Sequence, residues 1–226
     1  MAPRFVPFGP AHVAAVVLPV LGGLVLARLV RRGPAAVGAS VRLALAALLA
    51  LIAGGVVVQG LVSAELTLAE VLPFHLCDMA MLLAIYALLA RDRRAAELLW
   101  FWAGSGTLLA MITPDIYLGF PSAQFLLFFA LHGLVLAAAL VLVFGLSLRP
   151  RPGGPQRALV ATAAYGAAVG IVNAAFGTNY MYLCQKPPNA TLLDAFGPWP
   201  VYLVASALLA FAAFAVLGLP FRREEA

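Results

Sequence analysis

Polar side chains are scarce in the apolar runs of this chain, and the few present carry chemistry: Gln59, Glu70, His75, Cys77, Asp78, Thr107, His132 and Asn173. Within hydrocarbon an ionisable group costs about 3 kcal/mol or more unless it is partnered, so each is a candidate site residue. The stretch "LPFHLCDMA" (72–80) places an imidazole, a thiol and a carboxylate within four residues. A thiol becomes a nucleophile when an imidazole takes its proton and a third group orients that imidazole. On a helix His75 and Asp78 share a face and can hydrogen-bond. Cys77 lies about 200° round from His75 and faces elsewhere, with Glu70, Phe74 and Met81. A base for Cys77 must then come from another segment, and His132 is the histidine at a compatible depth. At about 1.5 Å per residue, Cys77 lies about 10 Å and His132 about 15 Å from the same boundary. His12, at the tip of the first segment, reads as interfacial.

The elements that must position these groups follow from composition. Of 226 residues 64% are hydrophobic and 10% charged, and the mean hydropathy of +1.03 lies far above that of soluble domains. Seven apolar stretches are long enough to cross a bilayer, at 11–31, 41–62, 70–90, 96–112, 122–147, 157–177 and 198–219. The chain therefore reads as all-α, a single polytopic membrane domain over 1–226 with seven transmembrane helices. The fourth stretch, bounded by Glu97 and Pro114, is the shortest. Arginines 28, 31, 32 and 42 flank the first connection, 91, 93 and 94 the third, 149, 151 and 157 the fifth, and 222 and 223 follow the last stretch. Only Arg4 and Lys186 of the 14 basic residues fall on the other side, which predicts an N-out, C-in topology. The first segment has only Arg4 before it and no small-residue cleavage site, so it is expected to remain as a helix. The basic residues form no face with interleaved aromatics, and no nucleic-acid partner is expected. No soluble domain, low-complexity tail or repeat is apparent.

With the segments alternating in direction, all the polar groups fall in the outer half of the membrane, while the inner half is Ala, Leu and Val. That one-sided layer predicts a polar cavity opening outward or laterally rather than a continuous pore, which needs polar lining through both leaflets. Gln59 and Asn173 serve as readily as interhelical hydrogen-bond partners. The 20-residue connection from Thr178 to Gly197 is of a length that tends to be functional.

Five motifs in order carry a resemblance: "LPFHLCDMA", "GSGTLLAMITPDI" (104–116), "FPSAQFLLFFALHG" (120–133), "NAAFGTNYMYLCQKPP" (173–188) and "LLDAFGPWPVY" (192–202). Over roughly 70–202 the chain resembles the YwaF-like family of bacterial integral membrane proteins. That family is similar in turn to an animal transmembrane acyltransferase that moves a fatty acyl chain between phospholipid and lysophospholipid through a cysteine and a histidine. The resemblance implies Cys77 as acyl carrier and His132 as base, with membrane phospholipid or lysophospholipid as substrate and no cofactor or metal. His75, Asp78, Asn173 and Thr107 are then candidates for orienting the base or stabilising an oxyanion. Gln59, Asn179, Tyr180 and Trp199 are candidates for substrate contact. The Ala- and Arg-rich, lysine-poor composition fits a multi-pass protein of a bacterial cytoplasmic membrane.

Other readings stay open. His75, Asp78 and His132 can make a two-nitrogen, one-oxygen set of the kind that holds catalytic zinc, giving a metal-dependent seven-helix hydrolase. The cavity can instead bind a small molecule for transport or sensing. Cys77 and Cys184, the two cysteines, can form a disulfide in an oxidising compartment. Asn189-Ala190-Thr191 has the form of a glycosylation sequon and reads as accidental in a bacterial chain.

Overall fold

The computed structural model describes residues 3–63, 72–188 and 191–221, the side chains of 56 and 59–63 excepted. The expectations for Glu70, the Gln59 side chain, the sequon's Asn189 and Arg222 and Arg223 lie outside the described residues.

Proline and glycine punctuate the chain where the sequence places them. Helix α1 (Pro10–Arg32) opens with proline at its first position and closes on Gly33, whose N–H bonds the Leu29 carbonyl. Helix α2 (Ala35–Ser63) follows Pro34 directly. Helix α3 (Leu76–Ala90) ends on Arg91 in the left-handed region (φ 54°). Asp92 then caps α4 (Arg93–Trp102), its carboxylate accepting from the Ala95 N–H at 2.8 Å. A π turn (Ala103–Thr107) carries α4 on through Leu108–Ile112. Ser122 caps α5 (Ala123–Leu140), which runs into a second π turn, Val141–Gly145. Helix α6 (Gly154–Phe176) lies between Gly153 and Gly177, both at positive φ. Helix α7 (Val201–Gly218) ends in a short 3-10 turn. Among the described residues the only strand pairing is one bridge, between Arg4 and Leu118.

Six of these helices, taking the π turns with α4 and α5, are long and apolar enough to cross a membrane. The third corrects the expectation of a span over 70–90. Residues 72–75 are not helical, and α3 has 15 residues, about 22 Å against a hydrocarbon core of about 30 Å. Pro73 explains the late start, because proline disfavours helical geometry in the residue before it and offers no N–H. The fourth segment, expected to be the shortest, is instead 20 residues long from Arg93 to Ile112.

Helix α5 is the centre of the bundle: 67% of its span is buried, against 11% for α6 and 17% for α1 and α7. Helices α1 and α5 approach closely through small residues. A Cβ on Gly133 would stand 2.8 Å from the Pro19 ring, and one on Gly23 would stand 3.0 Å from the Ala137 Cα. The apolar core, with Ala84, Leu88, Leu99, Phe101, Ala138 and Leu142 fully or nearly fully buried, lies toward the arginine-rich end. Two polar ties fix that end. Arg42 Nη1 donates to the Leu88 and Leu89 carbonyls at the C-terminus of α3. Glu97, 3% exposed, accepts five hydrogen bonds of 2.7–3.1 Å, three from Arg151 and two from Arg157. Those two arginines do more than mark a membrane side; they neutralise a buried carboxylate.

Candidate functional site

The end of the bundle opposite the arginines gathers most of the residues singled out from the sequence. Because α3 begins at Leu76, His75 is its N-cap rather than a residue of its first turn. Cys77 and Asp78 are the second and third residues of the helix, both half-buried. The expected His75–Asp78 proximity takes a different form: the Asp78 carboxylate reaches back to the His75 backbone N–H, as in a capping box. Of the face expected for Cys77 with Glu70, Phe74 and Met81, Met81 lies on the same helix, Phe74 precedes the helix start, and Glu70 lies outside the described residues.

The first backbone bond into α3 runs from Met79 N–H to the His75 carbonyl at 3.1 Å, and the His75 side chain does not cap the helix. Among the described residues nothing accepts from the N–H groups of Leu76, Cys77 or Asp78. The thiol of Cys77, which is free, therefore sits on a helix end whose amide donors are open. Backbone donors beside a nucleophile are the elements of an oxyanion hole. Reading 70–90 as one continuous helix hid them; Pro73 was the signal.

The outer loop closes over this helix end. Met181 N–H donates to His75 Nδ1 at 3.3 Å, and the rings of Tyr180 and Tyr182 lie with centroids 5.4 Å from the imidazole. With Nδ1 accepting, His75 carries its proton on Nε2. Tyr182 donates to Asp115 at 3.0 Å. Burial first, and then the Asp115 charge, pushes the Tyr182 phenol above its ordinary value, so it remains a donor. Both Met181 (φ 57°) and Tyr182 (φ 54°) occupy the left-handed region, a strained arrangement for residues with side chains. The loop is held from several directions. Asn173, 2% exposed, accepts from Tyr180 N–H at 2.9 Å and Thr178 Oγ1 at 2.8 Å and donates to the Tyr180 carbonyl at 3.0 Å. Tyr202 donates to the Tyr182 carbonyl, and Trp199 Nε1 to that of Leu183 at 3.1 Å. Tyr165 donates to the Phe74 carbonyl at 2.9 Å, tying α6 to the segment before α3.

Asn173 thus anchors the loop, and one Nδ2 hydrogen is left for anything else. Asn179 is similarly engaged, bonding the backbone of Cys184 and Gln185 at 2.8–3.1 Å. Tyr180 is buried, its ring edge-on to Phe74, whereas Trp199 is 60% exposed. Thr107 is buried in the π turn of α4. Tyr182 and Asp115 have no mark in the sequence beyond lying in polar loops, and Tyr165 lies mid-way along α6; only the fold brings them to the segment around His75.

His132 lies in α5, 7% exposed, its ring stacked on Phe128 at 4.1 Å. Nδ1 bonds the Phe128 carbonyl at 2.8 Å. A carbonyl can only accept, so Nδ1 bears the proton and Nε2 keeps its lone pair, the form a general base requires. Among the described residues no hydrogen bond joins this ring to the Cys77 sulfur.

Several readings are corrected. His12, at the tip of α1, is packed inside the protein: it is 2% exposed, accepts from Phe8 N–H at 2.8 Å and bonds the Met111 carbonyl at 2.8 Å. Cys77 and Cys184 do not form a disulfide. Among the described residues no group of three or more His, Cys, Asp or Glu is placed to hold a metal, so His75, Asp78 and His132 do not make the zinc set. A cavity of about 420 Å³ lies at the arginine-rich end, lined by Leu24, Ala27, Arg28, Arg31, Arg32 and Phe144.

A family model, described as the TMEM164 family, matches residues 7–218, well beyond the 70–202 over which the motifs were recognised. No curated protein and no solved structure matches the chain.

Proposed function

This chain belongs to the TMEM164 family, and from that premise and the geometry of the α3 N-terminus we propose that it transfers or hydrolyses acyl groups of membrane lipids through a Cys77 thioester. The observation that carries the reading is a free, half-buried thiol in the first turn of a helix with three unbonded N–H groups. A 15-residue helix falls about 8 Å short of the hydrocarbon core. With Arg91 at the cytosolic boundary, Cys77 stands about 21 Å along the helix and about 9 Å inside the outer edge of the hydrocarbon core, so the reading requires the phospholipid ester to be drawn down to the helix end. The arginine sorting supports seven crossings with the N-terminus outside, and the composition supports a bacterial cytoplasmic membrane.

In the proposed cycle His132 Nε2 takes the thiol proton and the sulfur attacks the ester carbonyl. The α3 amides receive the oxyanion, and collapse breaks the C–O bond. His132 returns the proton to the leaving lysolipid alcohol. A second lysolipid, or water, then gives its proton to His132 and attacks the thioester, and the sulfur leaves and is reprotonated. His75, with Asp78 and Asp115 acting on it electrostatically, holds the loop in place over the site.

Purified full-length protein incubated with labelled phospholipid and lysolipid should show an acyl adduct on Cys77 by mass spectrometry. Cys77→Ala should abolish both adduct and turnover, and His132→Ala should lower turnover by 10²–10⁴-fold, the usual range for a general base. Lipid turnover unchanged in both variants overturns the reading.

A further inference from the structure

The arginine-rich end holds a feature that the acyl-transfer reading does not use. Arg28 stands three and four residues before Arg31 and Arg32 in the last turns of α1, and all three line the 420 Å³ cavity. Its remaining wall is apolar: Leu24 and Ala27 from α1, and Phe144 from the π turn of α5. The helices meet closely there, since a Cβ on Gly145 would stand 3.1 Å from Val30 and 3.2 Å from the Ala27 carbonyl. Phe144 is held edge-on by Trp100, with ring centroids 5.3 Å apart.

Of the other arginines at this end, Arg42, Arg93, Arg151 and Arg157 have protein partners, while Arg91 and Arg94 have none among the described residues and line no part of this cavity. Arg42 bonds two helix-terminal carbonyls, Arg93 the Arg149 carbonyl, and Arg151 and Arg157 the Glu97 carboxylate. Among the described residues no hydrogen bond or ion pair engages Arg28, Arg31 or Arg32. The acidic groups described here are occupied as well: Asp92 caps its own helix, and Glu97 is taken by its two arginines. Among the described residues, three cations therefore converge on one cavity with no anion paired to them.

We infer that this cavity binds one anionic phospholipid of the leaflet facing the arginine-rich end, its phosphate on Arg28, Arg31 and Arg32 and its glycerol and proximal acyl carbons against Leu24, Ala27 and Phe144. From Arg32 to Leu24 the wall runs about 12 Å along α1. That depth takes it from headgroup level into the acyl region. Arginine matches phosphate through paired N–H donors, and basic pockets between transmembrane helices on this side of a membrane are suited to anionic headgroups. A free phosphate ion matches the arginines but leaves the apolar floor unfilled, so the lipid is the occupant that fits both halves. The inference is independent of the chemistry at Cys77.

The test uses the full-length protein in detergent micelles, titrated with tail-labelled phosphatidylglycerol and, separately, phosphatidylcholine, with inorganic phosphate as competitor. Phosphatidylglycerol should bind at least tenfold more tightly than phosphatidylcholine. Arg28→Gln, Arg31→Gln and Arg32→Gln should each weaken it about fivefold, and the triple variant about a hundredfold. Leu24→Trp should block binding with charge unchanged. If that variant does not fold, the single arginine variants carry the test. Three results each overturn the inference: equal binding of the two lipids, displacement of phosphatidylglycerol by millimolar phosphate, or an equal loss in an Arg91→Gln/Arg94→Gln control whose arginines lie outside the cavity.

Discussion

Replacing Asn173 by alanine should release the outer loop while leaving the bundle folded. The side chain makes three hydrogen bonds, two of them to the backbone N–H and carbonyl of Tyr180, which is 3% exposed. A buried backbone group without a partner costs about 1–3 kcal/mol. Thr178 is less buried and can turn to water, so its bond is discounted. Two orphaned groups at about 1.5 kcal/mol each give about 3 kcal/mol, a factor of roughly 150 in the equilibrium between docked and released loop. Hydrogen exchange followed by mass spectrometry reads this directly: amides of 178–184 should exchange about two orders of magnitude faster, while those of α5 stay protected. By the proposed mechanism, lipid turnover falls with the docked population. A change below about fivefold at 178–184 would refute the reasoning and assign the hold on the loop to Tyr202 and Trp199 instead.

Two further outcomes test the energetics. Glu97→Gln should lower stability by about 3 kcal/mol: removing one member of a buried pair costs about 3–5 kcal/mol, reduced here because Arg151 and Arg157 are 31% and 43% exposed and can recover water; denaturant unfolding in micelles measures it, and a loss below 1 kcal/mol contradicts it. Tyr182 has its folded pKa above the unfolded value of about 10, so the folded state holds the proton longer and stability falls as pH rises beyond 10; Tyr182→Phe should flatten that alkaline slope in thermal melts, and an unaltered slope counts against the assignment.

The sequence conveyed the bundle because a bilayer imposes length and polarity limits that a one-dimensional pattern can express. Arginine runs, Gly33–Pro34 and Gly153–Gly154–Pro155 marked the connections to within a few residues. What remained hidden was geometry made by several segments at once. Apolar periodicity ran through Pro73, so the open amide end at Cys77 looked like mid-helix. The burial of His12 was not legible because nothing local shows that the Met111 carbonyl, 99 residues away, receives its proton. Asn173 and Asn179 read as candidate site groups since residue type alone does not reveal that loop backbone already occupies their amides. Cys77, His75 and Asp78 were found together because they are neighbours in the chain; Asp115 and Tyr182 were missed because they are not.

The clamp on Glu97 also constrains the order of assembly. Arg151 is synthesised 54 residues after Glu97 and Arg157 60 residues after it, with the whole of α5 between them. Until that loop emerges, the start of α4 carries a carboxylate with no counter-ion, and drawing it into the bundle alone costs several kcal/mol by an order-of-magnitude estimate. The foot of α4 therefore stays hydrated through the making of five helices and locks only when α6 begins to enter, so the arginine-rich end is among the last parts of the molecule to close.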